Sequence, residues 1–225
     1  GRRQPVTGTA AGVLVAGAFI SYPFRMLETI THFAAYFPPR SAFLSDGHPG
    51  SEIHCYSNGL FEAPANNEYG AKYYGTAAVS QALGGGWLAE GCGKCWRVTG
   101  KSNVGRPAVT TTLVLKGANY CPPENPACNG TAHFDIAAPG FDYAPSSLSN
   151  TCAERQQDEL DGFTSCGYWM IQSDNPDKNC NCNKFKDPVL RAGCNNFLSL
   201  RWDNPEVEYE EVECPIELSQ LPCWS

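Results

Sequence analysis

The chain has 225 residues, with 16 Lys or Arg against 23 Asp or Glu and a net charge of −7. Only 17% of it is charged, where an average globular domain carries about 25%. With no surplus of positive charge, nucleic acid and acidic membranes are excluded as main partners; a neutral polymer, recognised through aromatics and hydrogen bonds, is not, and 10 Tyr, 11 Phe and 5 Trp are on hand.

The longest apolar run near the start, Ala10 to Ile20, is far shorter than the roughly 20 residues that cross a bilayer, so no membrane span is expected. Rich in Val and small residues and stopped by Pro23, it reads as a buried strand. Coming after Arg2-Arg3, it also has the shape of the hydrophobic part of a retained signal. Residues 1–50 are therefore set apart as a segment of open role, first strand or extension, ahead of one β-rich domain over 51–225. A helix is expected over about 69–83, Ala-rich but weakened by Gly70 and Gly75 at about 1 kcal/mol each. Strands follow at Cys95–Thr99, Ala108–Lys116 and Ala132–Ala138. A second short helix is expected around 183–191, then strands at Phe197–Trp202 and Glu206–Cys214. In the last, Val207, Tyr209 and Val212 interleave with Glu206, Glu208 and Glu210, which reads as a strand with one wet face and not as a metal site. No internal repeat or low-complexity tract interrupts the pattern.

All twelve cysteines lie from Cys55 onward. An even, dense set among Gly and Pro turns reads as disulfides in an oxidising, extracellular compartment. Zinc is the rival, since Cys92-Gly-Lys-Cys95 has ligand spacing and Cys180-Asn-Cys182 is close, but His32, His48, His54 and His133 form no second ligand pair. No metal or cofactor is expected. Asn129-Gly130-Thr131 is a glycosylation sequon, in keeping with secretion.

Chemistry is most readily placed at Ala132-His133-Phe134-Asp135-Ile136. On a strand, Phe134 and Ile136 share the core face, and His133 and Asp135 point out together. A carboxylate held beside an imidazole on rigid structure suits acid–base work; a turn or cap is the plainer role for such an Asp. Just upstream, Cys121 and Cys128 are spaced to close a small loop that would hold Asn125 near the same place, although an Asn before Pro is ordinarily a turn residue.

Several segments together resemble a known family. Cys182-Asn-Lys-Phe-Lys-Asp-Pro-Val-Leu-Arg-Ala-Gly-Cys194, Leu200-Arg-Trp-Asp-Asn-Pro205 and Val212-Glu-Cys-Pro-Ile-Glu-Leu218 resemble glycoside hydrolase family 45 endoglucanases. Gly91-Cys-Gly-Lys-Cys-Trp-Arg-Val-Thr99 and the His133 segment match the same family. Ala118-Asn-Tyr-Cys-Pro-Pro123 is also similar to the first domain of expansins, a related group. The motifs keep the family's order over about residues 52–223.

The resemblance implies a mainly β fold: a six-stranded double-psi β-barrel with long disulfide-bonded loops, one or two short helices and an open groove for a β-1,4-glucan. It implies Asp135 as the general acid of an inverting hydrolysis, which needs a base roughly 6.5–9.5 Å away across the sugar. Such an acid must hold its proton at the working pH, which takes shielding from water. The family's usual base, an Asp in an N-terminal Tyr-Trp-Asp-Cys-Cys strand, has no counterpart here; the nearest local match puts Ala35 in its place. The family's assisting Asp falls on Cys128. One subfamily is proposed to use an Asn of the small cystine loop instead, the position of Asn125, while that subfamily's Asp before Cys-Pro is Asn119 here. Asp46, Glu52 and Asp142 are the acids nearest the relevant segments. His133, Asn119, Tyr120, Trp87, Trp96 and Tyr143 are candidates for substrate contacts, the aromatics by stacking on sugars, although Trp96 on its strand reads better as core. The family pairing implies Cys95–Cys214, Cys182–Cys194 and Cys121–Cys128, and leaves Cys92–Cys223, Cys166–Cys180 and Cys55–Cys152.

Three functions follow in order of preference: a weak secreted endo-β-1,4-glucanase, an expansin-like glucan-binding or wall-loosening protein that hydrolyses nothing, and a structural or interaction protein that has kept the fold. The partner is a β-1,4-glucan or a related wall polysaccharide, met by a monomer.

Overall fold

The computed structural model describes residues 7–10, 13–15, 59–85, 93–105, 107–121, 123, 126, 128–141 and 180–221. They form eight strands: β1 Thr7–Ala10, β2 Val13–Val15, β3 Phe61–Glu62, β4 Tyr73–Ser80, β5 Cys95–Lys101, β6 Thr110–Cys121, β7 Phe134–Ile136 and β8 Val207–Val212. Helix α1 spans Pro188–Leu200 and the single turn α2 spans Ile216–Ser219. The protein is thus mainly β, with few helices.

The strands make one mixed sheet in the order β1-β8-β5-β6-β4-β7-β2, and β3 pairs with β4 beside this path. The sheet described counts eight strands where six were expected. Its spine is β6, antiparallel to β5 over seven residue pairs and parallel to β4. β1 and β2 stand at opposite ends of the order, yet only residues 11 and 12 separate them. Laid flat, six spacings of about 4.8 Å would hold those ends nearly 30 Å apart, whereas three peptide links reach about 11 Å at most. The sheet must therefore curl until its ends meet. The apolar run near the start accordingly contributes a strand at Val13–Val15; residues 16–20 lie outside the described set.

The helix expected over 69–83 is instead strand β4, every residue of it buried. A strand enclosed on both faces loses the alternation that marks a half-wet one, and its Ala content then imitates a helix. Gly75 lets Leu60 pack close, since a Cβ there would come 2.5 Å from Leu60 Cδ2 and push that side chain aside. Only Gln81–Leu83 turn helically, as one 3₁₀ turn ended by Gly84 at φ 84°.

The second helix also departs from expectation. Cys182–Lys184 form a 3₁₀ turn, and α1 starts later, at Pro188, where Asp187 accepts a 2.7 Å hydrogen bond from the Val189 amide. That cap and a proline in the first turn are standard start signals. The helix runs on to Leu200, so Phe197–Trp202 is not a strand. Leu190, Cys194 and Phe197 recur at helical spacing on its buried face, and Arg201 ends it in the left-handed region at φ 56°.

The largest core cluster joins Trp96, Leu113, Leu115, Phe134 and Ile136 of the sheet to Phe185, Leu190, Phe197 and Trp202 around α1. Gly100 lets β5 approach it, since a Cβ would lie 2.8 Å from both Trp202 Cζ2 and Val207 Cγ1. Three disulfides brace the described residues: Cys95–Cys214, Cys121–Cys128 and Cys182–Cys194. Cys180 is also disulfide-bonded, to a partner outside the described set; the pairs proposed for Cys92, Cys166, Cys55, Cys152 and Cys223 each involve such residues. Among the described residues no helix is long and apolar enough to cross a membrane.

Candidate active site on strand β7

β7 lies between β4, its antiparallel neighbour, and β2, its parallel one. Phe134 and Ile136 are fully buried in the core, as the alternation requires. His133 and Asp135 do share the opposite face: His133 Nε2 lies 3.1 Å from Asp135 Oδ1. That face is not the open one expected, for His133 is 3% exposed and Asp135 7%. The expectation assumed that whatever points away from the core meets water, but here the small cystine covers the face. The Cys121 and Cys128 sulfurs and an Asp135 carboxylate oxygen all lie within 4.8 Å of one another. These sulfurs are bonded to each other, so they offer no thiolate to a metal; the same holds for Cys182 and Cys194 beside Cys180.

The register draws a row through the acid. Asn119 of β6 is opposite Ala78 of β4, Ala78 is opposite Asp135, and Asp135 is opposite Leu14 of β2. Neither strand position beside Asp135 carries an ionisable group. The β4–β6 ladder also shifts between Ala77 and Ala78, where Ala118 is the extra residue on β6. Bulges of this kind bend a strand and change where it aims the following residues.

Other sequence-selected residues separate clearly. Trp96 is 1% exposed and meets Phe134 edge to face with ring centroids 5.7 Å apart. It is a core residue, and sugar stacking is withdrawn for it, because its strand is closed in by β6 and β8 on either edge and by the core on its inner face. Tyr120 is buried on β6 opposite Val79. Asn129 and Thr131 of the sequon are exposed. Asn125, Trp87 and Tyr143 lie outside the described residues, as do Ala35, Asp46, Glu52 and Asp142.

Ser80 was missed. Completely buried at the end of β4, its Oγ donates to Thr131 O at 2.7 Å and accepts from His133 N at 3.0 Å. No motif marks it, and the stretch around it was read as a helix.

A closed mixed sheet carrying a buried imidazole–carboxylate pair against a cystine is the class of site this chain presents. No family model matches the chain, and no curated protein does. Two of the solved structures similar to it are cellulases. One is a cellulase from the Antarctic springtail Cryptopygus antarcticus, 22% identical, covering 72% of this chain and 67% of that one with a TM-score of 0.48. The other is the glycoside hydrolase family 45 endoglucanase EG27II in complex with cellobiose, 20% identical, covering 64% and 65% with a TM-score of 0.28. Both belong to the kind of enzyme that the motifs resemble. With TM-scores under 0.5, the likeness carries no argument about activity, which rests on the site itself.

Proposed function

We propose that the chain is a secreted, monomeric glycoside hydrolase of low turnover acting on β-1,4-glucan, with Asp135 as its general acid. The observation that carries this reading is the His133–Asp135 pair on β7, with the Cys121–Cys128 cystine closed against the carboxylate. It holds the acid on rigid structure and shields it, while about a tenth of its side chain still meets solvent. The same cystine anchors both ends of the loop that contains Asn125, so the residue proposed as base, or as holder of the attacking water, belongs to a loop rooted at the acid.

The fold we infer is a six-staved double-psi barrel, with five staves from 51–225 and the sixth from the leading segment. In support, β1 and β2 counted as one interrupted stave close the circuit β8-β5-β6-β4-β7. Asn119 is proposed to contact the glucan, with Trp87 and Tyr143 stacking on its sugars; His133 and Tyr120, both buried, are set too deep for that contact. Asn129 is proposed to carry a glycan. In the reaction, the proton of Asp135 goes to the glycosidic oxygen as that bond breaks, and water adds to the anomeric carbon from the opposite face, giving inversion. An amide is a weak base, and general base catalysis supplies about 10²–10⁴-fold, so slow turnover is expected.

The second reading, glucan binding without hydrolysis, is favoured by Ala78 and Leu14 as the strand neighbours of Asp135. One experiment separates the two. Purified protein on a soluble β-glucan should release reducing ends, and Asp135→Asn should abolish the release while retention on insoluble cellulose persists. Retention with no release by wild type would replace the first reading with the second.

A further inference from the structure

We propose that Ser80 is a positioning residue for the acid, acting through His133; the inference rests on the reading of Asp135 given above. A buried hydroxyl is costly unless it is hydrogen-bonded, and that of Ser80 both donates and accepts on one short segment. Its Oγ donates to Thr131 O at 2.7 Å and accepts from His133 N at 3.0 Å. Its own amide donates to His133 O at 3.1 Å. His133 is thus gripped by both backbone polar groups, one residue before the start of β7. Its ring then reaches Asp135 Oδ1 at 3.1 Å, with both side chains buried.

The grip has a chemical consequence. The grip fixes where the ring stands; we take the ring as its Nε2–H tautomer, the form in which Nε2 donates to Oδ1 and the transferable proton sits on Oδ2. When Asp135 gives it up, the negative charge that appears on the carboxylate is met by a donor already in place, the form of preorganisation that favours a transition state. Ser80 touches neither the sugar nor the reacting atoms. Its effect lies in the placement of the imidazole, exerted through the backbone of His133 and not through a ring nitrogen.

The test compares full-length wild type with Ser80→Ala and Ser80→Thr, reading kcat and KM on soluble β-glucan, thermal unfolding, and the His133 ring ¹⁵N resonances. Ser80→Ala should lower kcat tenfold or more per folded molecule, leave KM within about twofold, and move the His133 ring signals away from the Nε2–H pattern. Ser80→Thr keeps the hydroxyl and should restore both. If Ser80→Ala changes only the unfolding midpoint, with kcat and ring signals as in wild type, Ser80 is structural and the inference is overturned. Should the Ala variant not fold, Ser80→Cys, which fills nearly the same space with a much weaker donor and acceptor, takes over the same readouts. Wild type without turnover would defeat the hydrolase reading alone; the ring signals would still decide the role of Ser80.

Discussion

Arg97 and Glu210 face each other across β5 and β8 at 2.6 Å, with their side chains 43% and 30% exposed, while His133 and Asp135 meet at 3.1 Å with 4% and 10% exposed. Lys94 and Glu211, at 3.3 Å, belong with the first pair. In the sequence both regions look alike: charged or polar residues alternating with apolar ones along a strand. Burial makes the difference. A wet ion pair is screened and gives about 0–1 kcal/mol, whereas a polar pair enclosed by protein is costly to leave half-made, at about 1–3 kcal/mol. The β5–β8 wall draws its stability from its ladder and its disulfide; the β7 wall commits buried polar groups, as a site must.

The largest effect that would sharpen this contrast is on the disulfides. Cys95–Cys214 joins residues 119 apart in sequence and Cys121–Cys128 residues 7 apart. Loop-closure entropy assigns them about 5 and about 2 kcal/mol. Replacing the first pair by Ala should lower the unfolding midpoint far more in a urea titration. Replacing the second should cost less stability but more turnover per folded molecule, since it uncovers Asp135. Equal losses in both measurements would dissolve the distinction.

Lys116, buried on β6, should give an intermediate effect. Its Nζ donates to the carbonyls of Leu218 at 2.9 Å, Ser219 at 3.4 Å and Leu221, tying α2 to the sheet. Burial holds its pKa below the ordinary 10.5. The folded chain therefore gives up this proton at lower pH than the unfolded one, and the group's contribution to stability rises with pH between the folded value and 10.5. Lys116→Met should remove that alkaline rise, lower stability at neutral pH by about 1–3 kcal/mol and speed amide exchange over 216–221. An unchanged pH slope would show that the ammonium is better solvated than its surroundings imply. The smallest effect belongs to Arg97→Ala, expected to cost under about 1 kcal/mol, and less still in high salt; a loss as large as that of Lys116 would break the comparison.

Parts of the fold and site were legible early. β5, β6 and β8 each carry a run of alternating or β-branched residues, and the His133–Phe134–Asp135 spacing put the imidazole and carboxylate on one face. β4 was not legible, because enclosure on both faces erases its period. α1 was legible only in part: a helix reads out around 183–191, but its true start at the Asp187 cap lies later and its end reaches into residues that read as a strand. The covering of Asp135 was hidden as well, since it comes from a cystine on a different strand and a sheet curled back on itself. Ser80 was out of reach for the same reason: its partners are 51 and 53 residues away.

By itself, then, the chain's sequence determined the β-rich class, the pairing of cysteines as disulfides, and the facing of His133 with Asp135. These follow from composition and from the two-residue repeat of an extended backbone, which are local properties. Which strands stand beside Asp135, that they bring Ala78 and Leu14 there, how little water reaches the carboxylate, and which hydroxyl orients the histidine were decided only by tertiary structure. Each of these depends on contacts between residues far apart in the chain, and solvent exclusion arises only once those contacts close.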